Sequence, residues 1–263
     1  MTRLAVLIPV YRNPLGLFRT LESLRKADGS FDVFIVDDGS QEPISAPMRL
    51  REDVVVSLLR LERNQGIAAA LNYGLRHILG FRYPYIGRLD AGDTVLAERF
   101  ERQIQFLDAN PSCAAASSFV DFVDTRQTLL FRYRPPCQHD GILRSLRLNN
   151  CLVHSGTTMR ANSLREIGLY REDVPGAEDY ELFLRMSRRY TLAVLPEVLT
   201  LCEYSLNGLT VTGRRQQQQQ RLKLQLRYFD FLSLYSFYGV ARTVLAMTVP
   251  HSAVLRMKSA YSR

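Results

Sequence analysis

The sequence predicts an α/β protein built on an open, mostly parallel sheet flanked by helices. Short apolar segments, of the kind found in strands buried on both faces, alternate with segments in which apolar residues recur at helical spacing. Polar loops that contain glycine follow several of these strands, where ligands gather in open α/β sheets. With 263 residues, 46% of them hydrophobic, the chain can form one large domain with a full core.

The first 110 residues alternate regularly between the two patterns. Strands are predicted at 4–10, 31–36, 54–59 and from residue 85 onward. Helices are predicted at 67–79, at about 94–107, and after Pro14, where Leu17, Phe18, Leu21 and Leu24 recur at helical spacing. The resulting order of strand, helix, strand, strand, helix and strand is typical of an open α/β sheet.

The second half has a less regular pattern. Strands are predicted at 113–118, 192–194 and 198–203, with a hairpin or sheet edge over 119–134. Residues 152–160 resemble a strand pair interrupted at 154–156, and residues 178–189 form a predicted amphipathic helix. The run Gln216–Gln220 is short and bracketed by arginines, which favours a solvated helix face.

The C-terminal residues are rich in leucine and aromatic side chains and poor in acids. Residues 228–249 could cross a bilayer, but Asp230 and Arg242 would be costly at its centre. We therefore expect a helical pair that packs on the domain or lies on a membrane surface. Arg256, Lys258 and Arg263, beside aromatic residues, suit the surface of an anionic leaflet.

The net charge and the cysteine pattern limit the kinds of binding partner and the cellular locations that we expect. The formal net charge of +8 predicts an anionic partner, which could be nucleic acid, a membrane or a phosphorylated small molecule. The basic residues are dispersed and are not clustered with stacking aromatics, so we expect no nucleic-acid binding. Four cysteines without C-x-x-C spacing favour reduced thiols over disulfides or zinc, and no secretory signal is recognisable, so a cytoplasmic location is expected.

Carboxylates follow two of the predicted strands. Asp90 and Asp93, with Gly92 between them, could hold a hard divalent cation and leave room for a diphosphate; alternatively, Asp93 caps the next helix. Asp38 lies in an Asp-Asp-Gly-Ser loop and could accept hydrogen bonds from a base or a ribose, unless that loop is a simple turn. Arg63 could likewise face a phosphate or mark only a helix entry. No G-x-G-x-x-G follows the first strand, which argues against a dinucleotide enzyme.

Taken in order, these motifs resemble those of family 2 glycosyltransferases. The matching segments are LIPVY at 7–11, VDDGS at 36–40, RNQG at 63–66, RLDAGD at 88–93, HSG at 154–156 and GAEDY at 176–180. The resemblance covers roughly residues 3–205. It implies a GT-A fold and transfer of a sugar from a nucleotide-diphosphate donor to an acceptor hydroxyl, usually with inversion. It also implies a catalytic domain over 1–205, with a nucleotide-binding half (1–110) and an acceptor-binding half (111–205), followed by a helical extension over 206–263.

The resemblance assigns roles to individual residues. The donor site is expected to involve Pro9, Tyr11, Asp38, Arg63, Gly66, Arg88 and Asp90. Asp90 and Asp93 are the expected ligands of Mg²⁺ or Mn²⁺, and Asp179, preceded by Glu178, stands where the family keeps its catalytic base. A helix N-terminus also favours acids, which is the alternative for this pair. His154 could contact acceptor or donor phosphates or be structural, and Arg160 could bind a phosphate or form a surface salt bridge.

Two departures from the family pattern refine the expectation. Gly92 replaces an aspartate that many members carry, so the direct metal ligand is open: Asp93 takes over, or Asp90 contacts the ribose and a single protein ligand remains. The Gln-x-x-Arg-Trp signature of processive synthases is absent, and the chain has no tryptophan, which predicts a non-processive enzyme that adds one sugar. We expect a UDP- or dTDP-sugar donor, a glycan or lipid-linked acceptor in bacterial surface polysaccharide biosynthesis, and peripheral contact with the inner face of the cytoplasmic membrane. The alternatives are an inactive scaffold and, less favoured, a sugar nucleotidyltransferase.

Overall fold

The structure is a computed structural model that describes residues 4–204 and 214–248. Ten strands form one sheet: β1 (Leu4–Val10), β2 (Phe31–Asp37), β3 (Arg49–Arg51), β4 (Val54–Arg60), β5 (Tyr85–Arg88), β6 (Thr94–Val95), β7 (Cys113–Val123), β8 (Leu129–Tyr133), β9 (Thr158–Arg160) and β10 (Thr191–Glu203). The helices are α1 (Pro14–Arg25), α2 (Ile67–Leu79), α3 (Arg99–Ala109), α4 (His139–Leu146), α5 (Ala161–Ile167), α6 (Glu178–Met186), α7 (Arg214–Arg227) and α8 (Leu234–Thr248).

The sheet has a parallel half and a mixed half. Its strand order is β3-β4-β2-β1-β5-β9-β7-β10-β6, and β8 pairs with β7 as a hairpin. Strands β4, β2, β1 and β5 are parallel, whereas β9 runs antiparallel to both of its neighbours, β5 and β7. The predicted open, mostly parallel sheet and the hairpin over 119–134 are therefore confirmed.

The central strand β1 is apolar throughout because both faces of the sheet are covered. Ala5 and Leu7 belong to the core cluster that includes α2 and α6. Leu4, Val6 and Ile8 belong to the cluster on the opposite face, with α1 and α3. All seven residues of β1 are buried, as expected for a strand in the middle of a doubly covered sheet.

Several predicted elements differ in the structure. The helix predicted at 94–107 begins at Arg99, because Thr94 and Val95 pair with β10 as an edge strand. The two strands predicted at 192–194 and 198–203 are one strand, β10, with an irregularity between Leu195 and Val198. The strand pair predicted over 152–160 is a 3₁₀ turn at 154–156 followed by β9. On α1, Phe18 is 63% exposed, since only Leu17, Leu21 and Leu24 face the core.

The C-terminal residues form the predicted helical pair, α7 and α8. The glutamine run lies on α7, where Gln218 and Gln220 are buried, so the prediction of a fully solvated face is wrong for those two. Among the described residues, no helix is both long and apolar enough to cross a membrane. Arg256, Lys258 and Arg263, which carried part of the membrane-surface prediction, lie outside the described residues.

Two loops at the carboxyl ends of β2 and β4 are locked together. The carboxylate of Asp38 accepts hydrogen bonds from the backbone N–H groups of Gln65 (2.8 Å) and Gly66 (2.9 Å) and from the side chain of Asn64 (2.9 Å). Gly39 has a φ of +65°, and a Cβ there would lie 2.2 Å from the carbonyl carbon of Arg63. This close approach requires glycine.

We expect Gly39→Ala to destabilise the fold strongly, because the new methyl group meets backbone and not a movable side chain. The free energy of unfolding from urea titration should fall by about 3 kcal/mol or more. Gly29→Ala is the matched control, since Gly29 also has a positive φ (+89°) but its Cβ would meet the flexible side chain of Glu101 at 3.4 Å. Its loss should be about 1 kcal/mol. Equal losses of stability in the two variants would show that the positive φ, and not the contact between the loops, causes the destabilisation.

Candidate active site

A cavity of about 630 Å³ opens at the carboxyl end of β5, between α2, α6 and α7. Six residues predicted from the sequence line it: Gly66, Arg88, Asp90, His154, Glu178 and Asp179. The wall also includes Asn149 and Asn150, the loop over 172–177, and Gln216, Gln217 and Arg221 of α7. Its size is that of a ligand pocket, and its location matches the general rule for open α/β sheets.

Arg88, the last residue of β5, places a buried positive charge in the cavity wall. The residue is 1% exposed, and its guanidinium lies 2.6 Å from the carboxylate of Asp90. Burial alone would lower the pKa of Arg88, but Asp90, Tyr170 and Asp93 outweigh it and raise that pKa. Nε of Arg88 is buried without a hydrogen-bond partner among the described residues, which leaves a donor for an anionic ligand.

Asp90 and Asp93 have different surroundings. The Asp90 side chain is 43% exposed and lines the cavity. Asp93 is 6% exposed and is not among the lining residues, because its carboxylate accepts a hydrogen bond from the backbone N–H of Glu203 (2.8 Å). Burial and the nearby Asp90 raise the pKa of Asp93 to about 6. Asp93 therefore does not cap a helix, since α3 begins six residues later.

Glu178 and Asp179 begin α6 and line the same cavity as Arg88 and Asp90. Asp179 is held by the side-chain amide of Asn150, which donates to its carboxylate at 2.8 Å. Burial raises the pKa of Asp179 despite this hydrogen bond and the positive charge of Arg88. Burial and the adjacent Asp179 raise the pKa of Glu178 to about 7, and one Glu178 oxygen has no partner among the described residues. Both pKa shifts are upward, which makes each carboxylate a stronger base than an ordinary exposed one.

Pro9, Tyr11, Asp38 and Arg63 lie together beside the cavity, at the ends of β1, β2 and β4. None of the four lines the cavity. The loop that Asp38 anchors includes Gly66, however, and Gly66 is a lining residue. Tyr11 is 40% exposed, and Arg63 is also exposed. The Asp38 carboxylate is 4% exposed and is already engaged by the loop over 64–66. Its observed role is to fix that loop.

His154 and Arg160 have structural partners. Nε2 of His154 is hydrogen-bonded to the Tyr170 hydroxyl at 2.7 Å, and burial and Arg88 lower the pKa of His154 well below its usual value. Arg160 lies beside Tyr85, at the other end of β5 from Arg88, because β9 runs antiparallel to β5. Its guanidinium donates to the backbone oxygens of Cys113, Leu107 and Asn110. Arg160 thus lies outside the cavity, and it forms no salt bridge with any residue that the structure describes.

Sequence reasoning missed the residues that complete the wall. Asn150 positions Asp179 from a separate loop, 29 residues away in the chain. The Tyr170 backbone and Glu172 are held by Asn72 of α2, whose amide donates to both at 2.9 Å. The glutamine run on α7 carries Gln216 and Gln217 into the cavity. Only the polarity of Asn149-Asn150 next to the HSG motif was a local signal for these residues.

The match to known proteins agrees with this geometry. Residues 5–168 match the model of glycosyl transferase family 2. The chain belongs to this family. The amylovoran biosynthesis glycosyltransferase AmsE of Erwinia amylovora is 29% identical over 254 residues, which cover 91% of this chain and 92% of that protein. The predicted family and enzyme class, a glycosyltransferase, are confirmed.

Two solved structures show the fold. S. aureus TarS 1-349 in complex with UDP-GlcNAc has a TM-score of 0.66 at 16% identity, covering 93% of this chain and 72% of that one. The mannosyltransferase PcManGT from Pyrobaculum calidifontis, in complex with GDP-Man and Mn²⁺, has a TM-score of 0.65 at 18% identity, covering 99% and 80%. This family 2 chain therefore has the GT-A fold, as its sequence predicted.

The raised pKa of Glu178 has a consequence for stability. A carboxyl group whose folded-state pKa is raised stabilises the protein below its unfolded pKa and loses that contribution as pH rises through about 7. Glu178→Gln should therefore change stability little near pH 5 and increase it at about pH 9, by on the order of 3 kcal/mol. Urea unfolding across this pH range measures the difference. Asp173→Asn is the control, since Arg171 lowers the pKa of that exposed carboxyl and no gain at high pH is expected.

Proposed function

We propose that this glycosyltransferase moves one sugar from a nucleotide-diphosphate donor to a hydroxyl group of a glycan or lipid-linked acceptor, with inversion. The supporting observation is that one cavity holds two sets of groups from different parts of the chain. Arg88 and Asp90 lie at the end of β5, and Glu178 and Asp179 lie at the start of α6. The first set suits the diphosphate of the donor and the second suits the acceptor hydroxyl.

In this proposal Asp179 takes the proton of the acceptor hydroxyl. The acceptor oxygen then forms a bond to the anomeric carbon as the bond from that carbon to the diphosphate oxygen breaks, and the electron pair leaves with the diphosphate. Attack from the face opposite the leaving group inverts the anomeric configuration. Asn150 holds the Asp179 carboxylate in place, and the unpartnered Nε–H of Arg88 can donate to a phosphate oxygen.

The residues present also suit a divalent cation, Mg²⁺ or Mn²⁺. Within the described part of the chain, no three His, Cys, Asp or Glu side chains form a ready metal cluster. Asp90 offers one accessible carboxylate, which suits Mg²⁺ because that ion completes its coordination with water and phosphate oxygens. When bound, the cation would stabilise the negative charge of the leaving diphosphate. In this proposal Asp90 is the direct ligand, and Asp93, whose carboxylate accepts from the Glu203 backbone, supports the Asp90 loop.

The relatives support a nucleotide-sugar donor and a surface-polysaccharide setting. TarS is described in complex with UDP and with UDP-GlcNAc, and PcManGT with GDP-Man. AmsE is named for amylovoran biosynthesis. For this chain we propose a UDP- or dTDP-sugar and an acceptor of the bacterial surface-polysaccharide type. The alternative of a nucleotide-binding scaffold without activity is motivated by Gly92, and the experiments below separate the two.

Nucleotide binding is the first test. The midpoint of thermal unfolding should rise with UDP or dTDP, more so with Mn²⁺ than without it, because a ligand that binds only the folded state stabilises it. Asp90→Asn should remove most of the Mn²⁺-dependent part of the rise. Asp140→Asn, at an exposed position on α4 outside the cavity, is the control. If only GDP raised the unfolding midpoint, GDP would take the place of UDP or dTDP in the proposal. If no nucleotide raised the midpoint, the proposed donor site would be contradicted.

Turnover distinguishes an enzyme from a scaffold. Donor hydrolysis or transfer by Asp179→Asn should fall about 10²- to 10⁴-fold, the usual contribution of general base catalysis, with nucleotide binding retained. Glu178→Gln is the comparison within the same pair and should lose less. A larger loss in Glu178→Gln than in Asp179→Asn would transfer the role of base to Glu178. Undiminished turnover in both variants would exclude the pair from the chemistry.

A further inference from the structure

Helix α8 has its polar and apolar faces reversed relative to an ordinary surface helix. The residues that face the protein are Ser236, Gly239 and Thr243, which recur at helical spacing and are buried. The large apolar side chains point outward instead, as the exposed fractions of Leu234 (83%) and Leu245 (65%) illustrate. A helix of a globular protein normally buries its apolar face, so this arrangement indicates an apolar partner.

The outward face continues into the turn that precedes α8. Phe231 is 81% exposed and Leu232 is 97% exposed. We call the combined surface the apolar ridge, and its members are Phe231, Leu232, Leu234, Phe237, Tyr238 and Leu245. Leu234, Phe237, Tyr238 and Leu245 are spaced so that they share one side of α8. Such a concentration of aromatic and aliphatic side chains is typical of a surface that enters the interfacial region of a bilayer.

The net charge of the chain comes entirely from the same end. Residues 1–213 contain 25 basic and 25 acidic residues, whereas residues 214–263 contain nine basic residues and one acidic residue. That single acid, Asp230, is paired with Arg147 at 2.6 Å. The ridge therefore belongs to a segment whose charge complements an anionic surface.

The helical pair is attached to the protein next to the cavity. Gly239 packs against the Arg147 carbonyl so closely that a Cβ would lie 2.1 Å from its oxygen. The Gln225 side chain donates to the Leu148 carbonyl at 3.0 Å. These contacts adjoin Asn149 and Asn150 of the cavity wall, and α7 itself contributes Gln217 and Arg221 to that wall. The ridge and the cavity are thus held by one rigid set of contacts.

We propose that the apolar ridge lies on the surface of an anionic lipid bilayer, with the cavity held next to the headgroups. This inference deepens the proposed function, because it specifies an acceptor carried on a lipid. The described part of α8 has 15 residues, or about 22 Å, which is shorter than the hydrocarbon core, and in this proposal it lies along the surface. A symmetric dimer through the ridge is disfavoured, because it would bring two strongly basic segments together.

Vesicle flotation with the full chain tests the inference. The assay uses phosphatidylcholine vesicles with and without phosphatidylglycerol, and it contains no nucleotide, cation or acceptor, so its result is independent of the proposed transfer. We expect binding to the anionic vesicles, weaker binding to the neutral ones, and a several-fold loss at high salt. Leu232→Ser combined with Leu245→Ser should reduce the partition coefficient about tenfold or more.

The control removes apolar side chains of equal exposure from elsewhere. Leu15 and Met48 are 74% and 85% exposed and lie outside the ridge, so Leu15→Ser with Met48→Ser should leave vesicle binding unchanged. Equal losses in both double variants, or no binding of the unmodified chain to anionic vesicles, would overturn the proposal. A dimer in solution that the ridge variant dissociates, without vesicle binding, would assign the ridge to a second copy. A large fall in thermal stability of the ridge variant, again without vesicle binding, would show that the chain covers the ridge itself.

Discussion

The buried guanidinium of Arg88 is the constraint on which the site depends. A fully buried cation is costly unless carboxylates lie near it, and here one carboxylate is close in the chain and two come from a distant segment. Asp90 follows it by two residues, whereas Glu178 and Asp179 approach from α6. The charge of Arg88 opposes the effect of burial on both α6 carboxyl groups and lowers the pKa of His154. A second buried arginine, Arg99, fixes the backbone of Arg88 by donating to its carbonyl at 2.8 Å.

The loops at the carboxyl ends of β2 and β4 are held together by direct contacts. Asp38 uses both carboxylate oxygens to hold the loop that carries Gly66, and Gly39 permits the two loops to touch. A preorganised loop loses little conformational entropy when a ligand arrives. Gly66 has a φ of +90° with open space around its α-carbon, so backbone can approach a ligand there. The contacts of Asp38 and Gly39 therefore hold Gly66 where a ligand can reach its backbone.

The cavity extends beyond the segment that matches the family. The family match ends at residue 168, yet Glu178 and Asp179 lie after it, and so does α7, whose side chains line the cavity. Helix α7 is consequently part of the cavity wall, and α8 packs against α7. Because α7 lines the cavity and α8 carries the apolar ridge, a partner of the ridge would lie near the cavity.

Local sequence patterns were sufficient for part of the fold. The apolar strand β1 and the helix α2 were predicted with the observed bounds, and the start of β5 was predicted at residue 85, because burial on one or both faces leaves a recognisable pattern. The motif order predicted the family and hence the fold. Asp90, Glu178 and Asp179, named for their motifs, line one cavity in the structure, and their roles remain predictions.

Tertiary contacts determine which polar groups line the cavity and which serve the fold. Asp90 and Asp93 are alike in sequence, but the pairing of β6 with β10 brings the Glu203 backbone to Asp93 and turns it away from the cavity. Arg160 is removed from the site because β9 is antiparallel to β5. Helix α7, which carries the glutamine run, and helix α8 are both placed by contacts with residues 147–148, which are far away in the chain. These contacts bring the glutamine run to the cavity and leave the apolar face of α8 exposed. Such contacts depend on the packing of distant segments, for which no local pattern exists.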